Sequence, residues 1–183
     1  MSTKKFFRIC FTLICIIIAA LLVEGLIQPK DVVVSRSTFI NAPKEVVFQQ
    51  MVHFKNWRNW SPWTRLDTSM KDSFSVVDSG VGSFYHWKGD LSKTGEAEFR
   101  NKAMSGTSMT YEFELVEPSH VITSGSLSAT DSAGGTKATF SFTNHFDYPW
   151  NAMTVFMNID NLLSKDFELG LKNMKTYVES NNK

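Results

Sequence analysis

The globular part of this sequence has no cysteine. Both cysteines, Cys10 and Cys15, lie in an apolar stretch near the N-terminus. The rest of the chain therefore has no disulfide, no thiol nucleophile and no thiolate metal ligand, whichever compartment it occupies.

An excess of charge of one sign is also lacking. Beyond residue 28 the chain carries 16 basic and 17 acidic residues, with no long basic run or stripe. A nucleic-acid-binding surface requires clustered Lys and Arg. We therefore expect no nucleic-acid partner.

The sequence signatures of common catalytic and metal sites are missing. The four histidines are scattered, without Cys partners and without HExxH spacing, and no Gly-rich phosphate loop or Gly-x-Ser-x-Gly motif occurs. We therefore predict no metal and no cofactor, and we assign no catalytic residue. Whether the chain catalyses a reaction stays open.

One long hydrophobic run is present, from Ile9 to Val23. With its apolar flanks it reaches about 20 residues, enough to cross a hydrocarbon core of about 30 Å. The basic residues before it favour a cytoplasmic N-terminus. A cleaved signal peptide is the alternative, although no small-x-small site follows. We expect a single-pass anchor at residues 1–28 and an extracytoplasmic domain at 29–183, periplasmic if the cell is Gram-negative.

The hydrophobic period changes along the domain. A strand and two short helices are predicted first, at Val32–Ile40, Lys44–Val52 and Phe54–Trp60. Alternating segments bounded by turn residues then predict six strands, at Asp72–Val77, Gly82–Lys88, Gly95–Lys102, Ser108–Val116, Val121–Thr130 and Thr136–Phe146.

The C-terminal segment has a helical period. Its apolar residues fall three or four apart and form one stripe, at Phe156, Ile159, Leu163, Phe167, Leu171, Met174 and Val178. The pattern predicts a helix over Asn151–Glu179, with a break near residues 158–161. The predicted class is α+β, a helix-grip fold in which a curved antiparallel sheet wraps around a long C-terminal helix. Two short helices follow the first strand, and a transmembrane helix precedes the domain.

Several segments carry a family resemblance. They are Ile40-Asn41-Ala42-Pro43, Phe54-Lys55-Asn56-Trp57, Trp60-Ser61-Pro62-Trp63, Val116-Glu117-Pro118 and Asp166-Phe167-Glu168. With the layout, they resemble the polyketide cyclase/dehydrase branch of the START-like (Bet v 1-like, SRPBCC) superfamily, over roughly residues 30 to 180. This superfamily includes lipid carriers, hormone receptors, aromatic cyclases and chaperone activators. The resemblance implies a sheet closed by the last helix around a cavity for an apolar ligand.

The side chains expected to line such a cavity are aromatic. They are Trp60, Trp63, Tyr85, Trp87, Tyr111, Phe113, Phe140, Phe142 and Phe167. His86 and Glu96 are possible polar cavity groups. However, strand alternation places His86 opposite Tyr85 and Trp87, so only one of these sets faces inward.

Three functions compete. The first is a membrane-anchored module that binds or carries a hydrophobic or amphipathic small molecule, such as a lipid-like compound or an envelope metabolite. The second is a polyketide cyclase/dehydratase-like enzyme that cyclises, dehydrates or isomerises a small carbonyl compound, with His86, Tyr111 or Glu96 as acid or base. The third is a tethered scaffold that uses Trp57, Trp60 and Trp63 as its contact surface. These three rings could also cover the cavity mouth, enter a membrane interface, or simply pack on the sheet.

Overall fold

The computed structural model of the chain describes residues 3–156 and 159–182. The chain divides into two compact units, one formed by 1–32 with 144–159 and the other by 33–143 with 160–183. The sequence pattern did not indicate that segment 144–159 belongs with the N-terminal helix.

The first unit contains helix α1, Thr3–Ile27, whose 25 residues enclose the predicted apolar run. Among the described residues it is the one helix long and apolar enough to cross a membrane, with a mean hydropathy of 2.8. None of its apolar window is buried by protein. Length and composition fit an anchor, and they also fit a signal sequence.

The same unit contains a 3₁₀ helix, Trp150–Val155, that packs against the C-terminal end of α1. The buried Asn151 side chain donates hydrogen bonds to the carbonyl oxygens of Gly25, at 2.7 Å, and Gln28, at 2.9 Å. The last carbonyls of a helix lack partners within it. Asn151 therefore satisfies the Gly25 carbonyl near the end of α1 and holds the 3₁₀ helix beside it.

The second unit is built on a seven-stranded sheet with the order β1-β7-β6-β5-β4-β3-β2. The strands β2 to β7 are antiparallel to their sequence neighbours. Their bounds are β1 Asp31–Ile40, β2 Lys71–Phe74, β3 Phe84–Lys88, β4 Glu96–Met104, β5 Ser108–Glu117, β6 Val121–Ser132 and β7 Gly135–His145.

Helices fill the connections and cover the sheet. They are α2 Lys44–Val52, a 3₁₀ helix at Phe54–Asn59, α3 Trp63–Leu66 and α4 Ile159–Asn181. This order confirms the predicted helix-grip fold. Two differences from the prediction stand out. Strand β2 ends at Phe74 rather than at Val77, and the single helix predicted over Asn151–Glu179 is a 3₁₀ helix followed by the separate helix α4. The predicted break includes Asn158, which lies outside the described residues.

The core lies between the inner sheet face and α4. Four residues of the predicted stripe are buried, namely Phe167, Leu171, Met174 and Val178. Leu163 is half-buried and Phe156 is 73% exposed. The structure does not describe the side chain of Ile159. The stripe therefore meets the sheet through the C-terminal two thirds of α4.

A glycine in β6 allows a ring to cross the middle of the sheet. Tyr111 of β5 pairs with Gly125, and the Tyr111 hydroxyl donates a 2.6 Å hydrogen bond to the carbonyl oxygen of Ser141 on β7. A Cβ atom on Gly125 would overlap both the Tyr111 hydroxyl and that carbonyl. The buried tyrosine thus links three strands only because residue 125 has no side chain.

We expect Gly125→Ala to destabilise the protein by about 2–3 kcal/mol, because the added methyl group must displace the Tyr111 ring or the β7 backbone. Urea denaturation measures the change. Gly106→Ala is the matched control, since a Cβ there meets no atom within 4 Å. Equal stability of the two variants would show that the ring does not depend on this glycine.

Candidate ligand-binding site

The aromatic side chains of the inner sheet face touch one another and α4. Phe167 of α4 stacks on Phe140 and Phe142 of β7, with ring centroids 4.6 and 5.1 Å apart. Phe99 and Phe113 continue the cluster at 4.7 Å. Phe140 and Phe167 are almost completely buried, and neither lines four solvent-open clefts at the surface of this unit. Rings therefore fill the middle of the space beneath α4.

The three closely spaced tryptophans have different environments. Trp57 and Trp60 are fully buried, and each indole N–H donates to a backbone carbonyl of α2. These two rings pack in the core. Trp63, at the start of α3, is only half-buried and stacks on Trp87 with an interplanar angle of 15°.

Burial decreases towards one end of the inner sheet face. The central row contains the buried Tyr111 and Phe142, whereas Phe113 and Leu115 farther along β5 are only half-buried. Val121, which pairs with Leu115, is 44% exposed. The Trp87 ring links this region to α3, since its centroid lies 5.8 Å from that of Trp63 and 6.1 Å from that of Phe113. We call the partly exposed apolar residues Trp63, Phe113, Leu115 and Val121, with Asp166 of α4, the open end.

Asp166 is the acidic member of the open end. Its carboxyl group is half-buried, and burial raises its pKa above the ordinary value. A hydrogen bond from the Trp63 side chain offsets part of this effect. The sequence analysis noted Asp166 only within a family segment. Its contact with Trp63 follows from the packing of α3 against α4, which no sequence period reveals.

Asp67 fixes the position of α3. Its buried carboxylate accepts hydrogen bonds from the Ser69 hydroxyl and backbone N–H, from the Asp90 N–H and from the Thr94 hydroxyl. These bonds hold the pKa of Asp67 far below its usual value, the Ser69 hydroxyl contributing most. The Trp87 indole donates to the Thr94 carbonyl, at 3.2 Å. The loop after β3 is thereby held to both α3 and the aromatic cluster.

The two polar cavity candidates lie on the outer face of the sheet. His86 Nε2 and Glu96 Oε1 are 3.0 Å apart, and Lys88 donates to the second Glu96 oxygen. The Lys88 hydrogen bond, and then that of His86, lowers the pKa of Glu96. Tyr85 and Trp87 take the inner positions of the same strand. The geometry therefore does not bring His86 or Glu96 to the aromatic inner face.

The groups named for acid–base chemistry are thus separated. Tyr111 points inward, its hydroxyl is bound to Ser141, and burial raises its pKa. His86 and Glu96 point outward. Within residues 3–156 and 159–182, no group of three His, Cys, Asp or Glu side chains is arranged to hold a metal ion.

Arg36 connects β1 to the beginning of α4. Its guanidinium donates two hydrogen bonds to Asp160, at 2.6 and 3.0 Å, and one to Glu168, at 2.8 Å. The hydrogen bonds from Arg36 lower the pKa of Asp160. This arginine holds α4 over the sheet and is occupied by protein carboxylates.

Comparisons with known proteins agree with this architecture. The sequence pattern of the family described as polyketide cyclase / dehydrase and lipid transport matches residues 31–179, so the chain belongs to this family. A comparison with curated protein sequences found no match.

Solved structures share the fold at low identity. The Aha1 dimer from Colwellia psychrerythraea aligns with a TM-score of 0.58 and 15% identity, covering 81% of this chain and 96% of that one. Ara h 8.0201 aligns with a TM-score of 0.57 and 16% identity, covering 82% and 99%. A protein of unknown function from Staphylococcus aureus gives 0.59 and 12%, covering 83% and 96%.

Asp67→Asn should lower the melting temperature at neutral pH, because an amide accepts these four hydrogen bonds less well than a carboxylate does. A carboxyl group whose pKa is depressed by folding stabilises the protein above its unfolded pKa of about 3.9. The deficit of the variant should therefore shrink as the pH falls below about 4. Thermal denaturation across pH measures this, and a deficit independent of pH would contradict it.

Asp166→Asn should have the opposite effect. Burial raises the pKa of Asp166, so the ionised carboxylate destabilises the folded protein. This loss of stability is complete above the pKa of Asp166 in the folded protein. It is absent below the pKa of the unfolded chain, about 3.9. The variant should melt at or above the wild-type temperature at pH 7 and lose any advantage near pH 3. A clear loss of stability at pH 7 would show that the charge stabilises the fold.

Proposed function

We propose that this protein is a membrane-anchored module that binds a hydrophobic or amphipathic small molecule at the open end. The observation that carries the proposal is a partly exposed apolar surface, at the edge of a closed aromatic core, that includes one half-buried carboxyl group. Small-molecule sites are typically apolar with a few polar groups that orient the ligand. The family description, which includes lipid transport, supports the same class of ligand.

The filled core determines how a ligand would bind. Since rings occupy the space around Phe140 and Phe167, the ligand lies across the open end rather than in a chamber beneath α4. Trp63 and Phe113 contact it directly, and the buried aromatic candidates form the floor. Trp63 belongs to α3, a helix of only four residues. Its ring stacks on the buried Trp87 and is itself half-exposed. Movement of this ring would widen the site.

Asp166 gives the proposed site a polar preference. A half-buried carboxylate gains from a hydrogen-bond donor or a positive charge and is repelled by another carboxylate. The preferred ligand is therefore an apolar molecule whose polar end is a hydroxyl or an amine. A fatty acid, with the same chain but an anionic end, should bind less well.

The anchor belongs to the same proposal. Helix α1 crosses the membrane with its N-terminus in the cytoplasm, and residues 29–183 form the extracytoplasmic domain. Three residues separate the end of α1 from β1, a tether of at most about 11 Å. A module held in this way would exchange ligand with the membrane or with molecules close to it.

Photocrosslinking of the full chain in lipid nanodiscs tests the ligand site. The probe is a long-chain alkyl amine with a diazirine in its chain, and a fatty acid of the same length is the comparison. We expect crosslinks at Trp63, Phe113 and Leu115, stronger with the amine. Leu115→Ser should weaken labelling roughly five- to tenfold, because complete burial of a leucine side chain is worth about 1.5–3 kcal/mol and a ligand would cover only the exposed half of Leu115.

Val76→Ser is the matched control, since Val76 is 97% exposed in the loop after β2 and is not part of the open end. Its labelling should equal that of the wild type. Crosslinks confined to α1, or an equal effect of the two serine variants, would contradict the proposed site. Circular dichroism of both variants separates loss of the site from loss of the fold.

A further inference from the structure

The first unit exposes a concentrated set of apolar side chains just beyond β7. Five residues between 148 and 156 are at least 43% exposed, namely Tyr148 43%, Trp150 66%, Met153 47%, Val155 52% and Phe156 73%. Single exposed apolar residues are ordinary, but five within nine positions are not. We call residues 148–156 the aromatic segment.

The aromatic segment packs beside α1. Trp150 and Met153 form one wall of a groove of about 190 Å³, and Ile18, Leu21 and Leu22 of α1 form the other. Pro149 and Ala152 complete a lining that is almost entirely apolar. The groove is thus continuous with the surface of the apolar helix.

Hydrogen bonds set the position of this segment along α1. Asn151 binds the carbonyl oxygens of Gly25 and Gln28, at the C-terminal end of the helix. Ile18 lies seven residues before Gly25, which is about 10 Å along the helix axis. The α1 wall of the groove, Ile18 to Leu22, therefore lies about 5 to 10 Å from Gly25 towards the middle of the helix.

Polar side chains lie beyond the groove, around the C-terminal end of α1 and the start of β1. Gln28 donates to Glu24 at 2.8 Å, Lys30 lies 3.9 Å from Asp147, and His145 bonds to Asp31. A membrane interface has this order of groups, with charges in the headgroup layer and Trp and Tyr just below it. Amphipathic segments that rest in this layer reach about 5–10 Å into the bilayer.

We infer that the aromatic segment inserts into the extracytoplasmic interface of the bilayer next to α1, with a phospholipid acyl chain in the groove. This inference rests on the proposed membrane anchor and adds a second point of contact. The exposed apolar area of the segment is then covered by lipid rather than water.

Fluorescence quenching by brominated lipids tests the inference on the full chain. The protein is reconstituted into phosphatidylcholine–phosphatidylglycerol vesicles whose acyl chains carry bromine either near the headgroup or near the methyl end. Trp150 is the exposed reporter, because Trp57, Trp60 and Trp87 are buried in the second unit and Trp63 is half-buried. We expect stronger quenching by bromine near the headgroup, and Trp150→Phe should remove most of it.

A second variant and a flotation assay separate the possible outcomes. Phe156→Asp should reduce the quenching of Trp150, whereas Val76→Asp, a change at an exposed valine of the second unit, should not. Vesicles that float with the protein but quench wild type and Trp150→Phe equally would overturn the inference while leaving the anchor intact. A chain that does not float with vesicles would overturn the anchor and the inference together.

Discussion

The stacking of Phe140 and Phe142 on Phe167 joins the sheet to its covering helix, and the other features of the second unit depend on it. These rings lie 4.6 and 5.1 Å apart and are almost completely buried. Their contact sets the distance between α4 and the sheet. It thereby fills the middle of the inner face, and the partly covered Phe113, Leu115 and Val121 lie towards one end of that face. Arg36 stabilises the same arrangement by binding Asp160 and Glu168.

Alternation and helical period predicted the fold because they report which face of an element is apolar. They grouped Phe140 with Phe142 as cavity-facing rings, and both lie on the inner face. They left open whether Tyr85 and Trp87 or His86 faces inward, and the structure buries Tyr85 and Trp87. They could not give the volume enclosed, since this depends on how closely α4 approaches and how the rings interlock. Gly170 illustrates the point, because a Cβ there would lie 3.3 Å from Pro62. The expected cavity residues therefore form, for the most part, a packed cluster.

The roles of Asp166 and Phe156 could not be predicted from the sequence, because both depend on which elements pack together. Asp166 gains its raised pKa from the packing of α4 near Trp63, a contact between residues about a hundred positions apart. Phe156 fits the helical stripe, but a period shows only that a side chain is apolar on one face. It does not show whether a sheet or a lipid covers that face. Asn151 and its bonds to Gly25 and Gln28 place the 3₁₀ helix of the aromatic segment beside α1.

Access of dissolved oxygen to the aromatic core would test the closed middle and open end most directly. Oxygen is small, apolar and paramagnetic, so it enters apolar spaces and broadens the NMR signals of nearby groups. The structure predicts strong broadening at Trp63, Phe113 and Leu115 and weak broadening at Phe140 and Phe167. Strong broadening at Phe140 and Phe167 would reveal a chamber beneath α4 and contradict the packing described above.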